Sequence, residues 1–230
     1  MEIIATKIEF DIDNNLYEEI LNELPRDKVD RIKRFRRIED SMRTLAADLL
    51  IRTAACIRFN TQNRFLKFQK GCKGKPYLLN NKDFHFNLSH SGDFAVCAIS
   101  NKTIGIDIEK VQDMDFSIAK RFFSQSETQD LFSKDGEARK QYFFDLWTLK
   151  ESYIKADGRG MFLPLNSFSF GIKDNIITFK TENKLRDCFF KIYTIADQYK
   201  ISVCTLEDTF PQTVTIKNFY DIIELFLGSK

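Results

Sequence analysis

Gly105-Ile106-Asp107-Ile108-Glu109-Lys110, taken together with Trp147-Thr148-Leu149-Lys150-Glu151-Ser152-Tyr153-Ile154-Lys155, decides how this chain is organised. Ile106 and Ile108 alternate with Asp107 and Glu109, the period of a strand buried on one face, so both carboxylates point the same way. Two adjacent negative charges cost free energy unless a cation, a shared proton or water compensates them. The second stretch has helical spacing and supplies Glu151 and Lys155. Two carboxylates on a strand and a third on a facing helix make a hard-oxygen set suited to Mg²⁺. The plainer reading is a solvated strand edge and an ordinary Glu-to-Lys helix pair, worth about 0.3–0.5 kcal/mol.

Working outward, Tyr142, Phe143, Leu146, Trp147, Leu149, Tyr153 and Ile154 predict a helix from about Glu137 to Ala156, ended by Asp157-Gly158. Trp147, Glu151 and Lys155 form one stripe on it, with Lys150 to the other side of Trp147, so charges are drawn toward the buried face. Upstream, Phe84 to Ser91 alternates and Phe94 to Ile99 is apolar, which predicts a hairpin. It delivers His90 at one strand end, with the carboxylate pair on the neighbouring strand. Ile4, Thr6, Ile8 and Phe10 predict a half-buried first strand, and Pro25 fits the first turn of a short helix. That helix region, 26–37, carries seven Lys and Arg residues; it is either a solvated face or a site for phosphate groups. Met42 to Phe59 predicts a core helix with Arg43 and Arg52 at its margins. Ser124-Gln125-Ser126-Glu127 matches a capping box, which suffices to explain Glu127. Phe168–Ile172, Ile176–Lys180, Cys188–Ile195 and Tyr199–Leu206 predict antiparallel strands, and 219–227 a last helix.

The order of elements is roughly duplicated, with a break near Asn101-Lys102. At 230 residues, 43% hydrophobic and 30% charged, the chain is a globular protein with a real core and not a disordered tail. Its net charge of +2 argues against a general polyanion binder. Five cysteines (Cys56, Cys72, Cys97, Cys188, Cys204) include no C-x-x-C pair, and no apolar run approaches membrane-spanning length. A reduced, cytoplasmic, membrane-free setting is expected.

These motifs together resemble the Sfp-type 4′-phosphopantetheinyl transferases, closest to those serving nonribosomal peptide synthetases. Three carry the resemblance in order: Gly74-Lys75-Pro76 with Phe86-Asn87-Leu88-Ser89-His90-Ser91, then Gly105 to Glu109, then Trp147-x-x-Lys150-Glu151-x-x-x-Lys155. The resemblance implies an α+β fold of two pseudo-symmetric halves, 1–102 and 103–230, each a long helix on a mainly antiparallel sheet, with the active site in the cleft between them. It implies a monomer that moves phosphopantetheine from coenzyme A to a serine of a peptidyl or acyl carrier protein, releasing 3′,5′-ADP. By position, Asp107, Glu109 and Glu151 would bind Mg²⁺, with Mn²⁺ as the alternative, and Glu151 and Lys155 would be catalytic. Lys28, Arg31, Arg43, Lys75, Ser89, His90 and Lys155 would hold coenzyme A. Two other readings stand beside it: a metal-dependent phosphodiesterase using the same carboxylates, and a nucleic-acid-binding module built on the basic segment 26–37.

Overall fold

Each of the two longest apolar helical patterns forms a 22-residue helix laid along its own sheet in the computed structural model, which describes residues 1–71 and 73–229. Cys72, one of the five cysteines, therefore falls outside the described residues. The first half runs β1 (Glu2–Lys7), α1 (Asn14–Asn22), α2 (Arg26–Lys33), α3 (Ile38–Phe59), β2 (Phe68–Lys70), β3 (Pro76–Leu78), β4 (His85–Ser91) and β5 (Phe94–Ser100). The second runs β6 (Ile104–Lys110), α4 (Ala119–Phe122), α5 (Gln125–Phe132), α6 (Gly136–Asp157), β7 (Phe168–Lys173), β8 (Ile176–Thr181), β9 (Phe189–Ile195) and β10 (Tyr199–Thr205). The chain then crosses back: β11 (Thr215–Lys217) pairs parallel with β1, and α7 (Phe219–Gly228) buries Phe219, Ile222, Ile223 and Phe226 against α3 and its sheet.

The first sheet has strand order β11-β1-β5-β4 and the second β6-β10-β9; β2–β3 and β7–β8 are separate antiparallel pairs. Alternation along β5 shows how the layers form. Ala95, Cys97 and Ile99 join the α3 core, while Phe94, Val96 and Ala98 meet Ile106, Ile108, Ile201 and Val203 of the second sheet. Cys204, on the other face of that sheet, joins the α6 core. The result is an α+β stack of helix, sheet, sheet and helix, in which apolar burial holds the two halves together.

Several expectations need correction. β1 is not half-buried: four consecutive residues, Ile3 to Thr6, are buried because the strand lies inside its sheet with a core on each face. It also ends at Lys7, short of Phe10. Pro25 takes the extended position just before α2 rather than its first turn, and α3 begins at Ile38. β6 does not extend the β4–β5 hairpin sheet; its ladder partner is β10. Arg52 is 1% exposed, not marginal. The capping box opening α5 is present in both its hydrogen bonds, and α6 ends at a left-handed Gly158.

Candidate active site

Three side chains of β4 join the halves along the cleft. Asn87, Ser89 and Ser91 share one face of the strand. Asn87 Oδ1 accepts from the Ile106 N–H (2.9 Å), Ser89 Oγ from Ile108 (3.4 Å) and Ser91 Oγ from Lys110 (3.1 Å). Each step of two on β4 matches a step of two on β6, so the strands run alongside each other, bonded through side chains in place of a ladder. The same hydroxyls orient the strand carboxylates: Ser89 donates to Asp107 Oδ1 (2.9 Å) and Ser91 to Glu109 Oε2 (2.8 Å).

On the other side of β6 stands α6, at close range. A Cβ on Gly105 would collide with the Ser152 carbonyl and the Ala156 nitrogen, so only glycine allows this approach. The approach brings Glu151 and Lys155 over the strand pair. Lys155 Nζ donates to Asp107 Oδ1 (2.6 Å) and to Ser89 Oγ (2.8 Å). Around these groups lies a cleft of about 490 Å³, lined from the first half by Lys28, Arg31, Thr44, Asp48, Ser89 and His90, and from the second by Asp107, Glu109, Trp147, Glu151 and Lys155.

The cleft is electrostatically loaded. Burial, and then the Asp107 charge, raise both Glu109 and Glu151 to about 7. Asp107 itself is 3% exposed, and its Oδ2 is buried with no hydrogen-bond partner. Among the described residues no three metal-ligating side chains converge as they stand, and Lys155 pairs with Asp107. Crowded carboxyls held partly protonated, beside a buried acceptor without a donor, nonetheless fit a hard divalent cation. His90, at the strand end, has much of its surface exposed. Desolvation of its ring, and then Lys155, lower its pKa.

Eight of the ten candidate residues thus line one cleft. Arg43 and Lys75 are not among its lining residues. Arg43 donates to the Gly92 carbonyl (2.7 Å) and to Asp40 (2.8 Å). Lys75 reaches from the first half to the Ile104 carbonyl (2.9 Å) and the Ala156 carbonyl (3.2 Å), tying the start of β6 to the end of α6. Burial lowers its pKa to about 8. Lys150, drawn inward as its position on the helix predicts, is fully buried; it pairs with Glu127 (2.8 Å) and donates to the Leu165 and Phe168 carbonyls. Glu127 therefore does more than cap α5, and neither partner lines the cleft.

Sequence reasoning missed Asn87 and Ser91 as positioning groups and Asp48 as a cleft residue. The signals were present: a polar face on an otherwise apolar strand, and a carboxylate in the middle of Leu45-Ala46-Ala47-Asp48-Leu49-Leu50.

Comparison with known proteins bears on the same residues. A family profile described as 4′-phosphopantetheinyl transferase superfamily matches residues 103–204, and one described as 4′-phosphopantetheinyl transferase, N-terminal, matches residues 12–102. The chain is 35% identical to the 4′-phosphopantetheinyl transferase Sfp of Bacillus subtilis (strain 168), over 90% of this chain and 92% of the relative. It is 39% identical to another 4′-phosphopantetheinyl transferase of Bacillus subtilis, over 86% and 88%. With the 4′-phosphopantetheinyl transferase gsp of Aneurinibacillus migulanus it shares 34% over 100% and 96%.

Proposed function

The chain belongs to the 4′-phosphopantetheinyl transferase family, and from that premise we propose that it moves the 4′-phosphopantetheine of coenzyme A onto a serine of an apo carrier protein, peptidyl or acyl, releasing 3′,5′-ADP. The observation that carries this reading is the cleft itself, where three carboxylates and Lys155 from one half face Lys28, Arg31 and His90 from the other. A long polyanion spans such a cleft with its reacting phosphate over the carboxylate end and its other phosphates on the basic wall.

In this reading residues 1–102 supply the grip on coenzyme A and residues 103–230 the reacting groups. Lys28 and Arg31 hold phosphate as charge-assisted donors. His90 and Ser89, side by side, donate hydrogen bonds to phosphate oxygens. Asp107, Glu109 and Glu151 would hold Mg²⁺, or Mn²⁺, since oxygen donors serve both, and a cation there would supply neutralisation of phosphate charge. Lys155 stabilises charge on the phosphate under attack. Glu151 accepts the proton of the serine hydroxyl as the serine oxygen bonds phosphorus and the pyrophosphate P–O bond to 3′,5′-ADP breaks. Arg43 and Lys75 act at one remove: Lys75 fixes the relation of β6 to α6, and Arg43 steadies the turn after His90. Reduced thiols and a single-chain site suit a cytoplasmic monomer; no described helix is long and apolar enough to cross a membrane.

Coupling tests the reaction. With coenzyme A, Mg²⁺ and an apo carrier protein, 3′,5′-ADP should appear one-for-one with modified carrier and not at all without carrier. Release of 3′,5′-ADP from coenzyme A alone would favour the phosphodiesterase reading.

A further inference from the structure

Asp48 has no role in the reaction as described, yet it lines the cleft, is 4% exposed and stands mid-way along α3 among Leu45, Ala47, Leu49 and Leu50. Aspartate is a poor helix former, and a buried carboxylate survives only when paired, so this position is costly without a task. Its two oxygens serve different cations. Oδ2 accepts from Arg52 Nε (2.7 Å), one turn on in the same helix. Oδ1 accepts from Lys28 Nζ (2.7 Å), which reaches over from α2.

The two cations differ in kind. Arg52 is 1% exposed and locked: its guanidinium donates to Asn63 Oδ1 (2.9 Å) and lies over the Phe68 ring at 5.1 Å. Asn63 in turn donates to the Glu23 carbonyl (2.6 Å), just ahead of α2. Lys28, by contrast, keeps 26% of its side chain exposed at the cleft wall. If Asp48 existed only to neutralise Arg52, a second cation from another helix would be surplus. As built, one carboxylate sits between a buried cation and a partly exposed one at the cleft wall, and the trio as a whole keeps one positive charge. A lysine side chain has four rotatable carbons and loses much entropy when a ligand fixes it. Tethering one of its N–H groups beforehand removes part of that cost and leaves the others for an anion.

We propose that Asp48 is a positioning residue for anion binding: it holds the Lys28 ammonium at the cleft wall, with Arg52 and Asn63 as its rigid backing. This rests on the reading that Lys28 binds a phosphate of coenzyme A.

The test is a double-mutant cycle read as the Kd for 3′,5′-ADP by titration calorimetry, on the full chain. Lys28→Met should weaken binding roughly 10- to 100-fold, as expected for one charge-assisted contact. Asp48→Asn should weaken it several-fold in the parent and not at all in the Lys28→Met background. Because Asp48→Asn leaves Arg52 buried without its counter-charge and risks misfolding, Asp48→Leu/Arg52→Leu is made in parallel, removing both charges in similar volume. It should melt near the parent and show the same loss of affinity, again only when Lys28 is present. Equal losses with and without Lys28 would overturn the proposal. So would tighter binding in the Asp48 variants, which would mean that its charge merely opposes the phosphate. No effect of Lys28→Met itself would instead refute Lys28 as a phosphate ligand, and the proposal with it.

Discussion

Glu151→Gln should give a protein that is slower and, above neutral pH, more stable. In the parent, burial and the Asp107 charge raise the Glu151 carboxyl from 4.5 to about 7, so the folded state disfavours its ionised form by on the order of 3 kcal/mol. The sign follows from linkage. Between these two values the folded protein binds a proton that the unfolded chain has lost, so the contribution of this group to stability is fully present at low pH and is lost as pH rises through about 7. Glutamine has the same shape and nothing to ionise, so the variant escapes that loss. The two proteins should have similar urea midpoints near about pH 4, and at about pH 8 without divalent cations the variant should be the more stable by up to about 3 kcal/mol. The same substitution removes the proposed base. General bases contribute about 100- to 10,000-fold, so turnover, measured as 3′,5′-ADP release, should fall by that order and should not return at high Mg²⁺. Full recovery in excess Mg²⁺ would make Glu151 a plain metal ligand. A variant less stable than the parent at about pH 8 would refute the electrostatic reasoning itself.

Asp107→Asn and Glu109→Gln keep shape but remove charge from the strand pair, so both should lose Mg²⁺ affinity and regain part of their rate when Mg²⁺ is raised; a Mg²⁺ titration of turnover distinguishes them from Glu151→Gln. His90→Ala removes an exposed donor at a strand end, so its melt should stay within a few degrees of the parent while coenzyme A binding weakens; a large stability loss with unchanged affinity would make His90 structural. Lys150→Met strands the fully buried Glu127 carboxylate and should cost about 3–5 kcal/mol in chemical denaturation, with the KM for coenzyme A unchanged at temperatures where the variant is folded.

Much of this was legible in the sequence, because periodicity reports burial. The alternation of Ile106 and Ile108 with Asp107 and Glu109 located the strand that carries two carboxylates, and the apolar spacing around Trp147 located the helix that carries the third. What stayed hidden depends on partners distant in the chain. β1 looked half-buried from the spacing of Ile4, Thr6 and Ile8, which does not report that a second sheet covers the outer face and buries Ile3 and Ala5. Lys75 carries a motif that suggests phosphate, but spacing gives no sign that its ammonium also donates to two backbone carbonyls, one of them 81 residues away. Lys150 and Glu151 are adjacent in sequence, but the helix turns one into a sealed ion pair and the other into the cleft. No spacing rule distinguishes a buried charge that works from one that only holds the core together; the position of its partner does.

Whether this cleft attaches phosphopantetheine to a protein serine is read from the intact mass of an apo carrier protein incubated with coenzyme A, Mg²⁺ and this enzyme. The carrier should gain one phosphopantetheine, a gain abolished when the acceptor serine is changed to alanine and strongly slowed with Glu151→Gln. A carrier that keeps its mass while coenzyme A is consumed, or one modified equally without its serine, would contradict that reading.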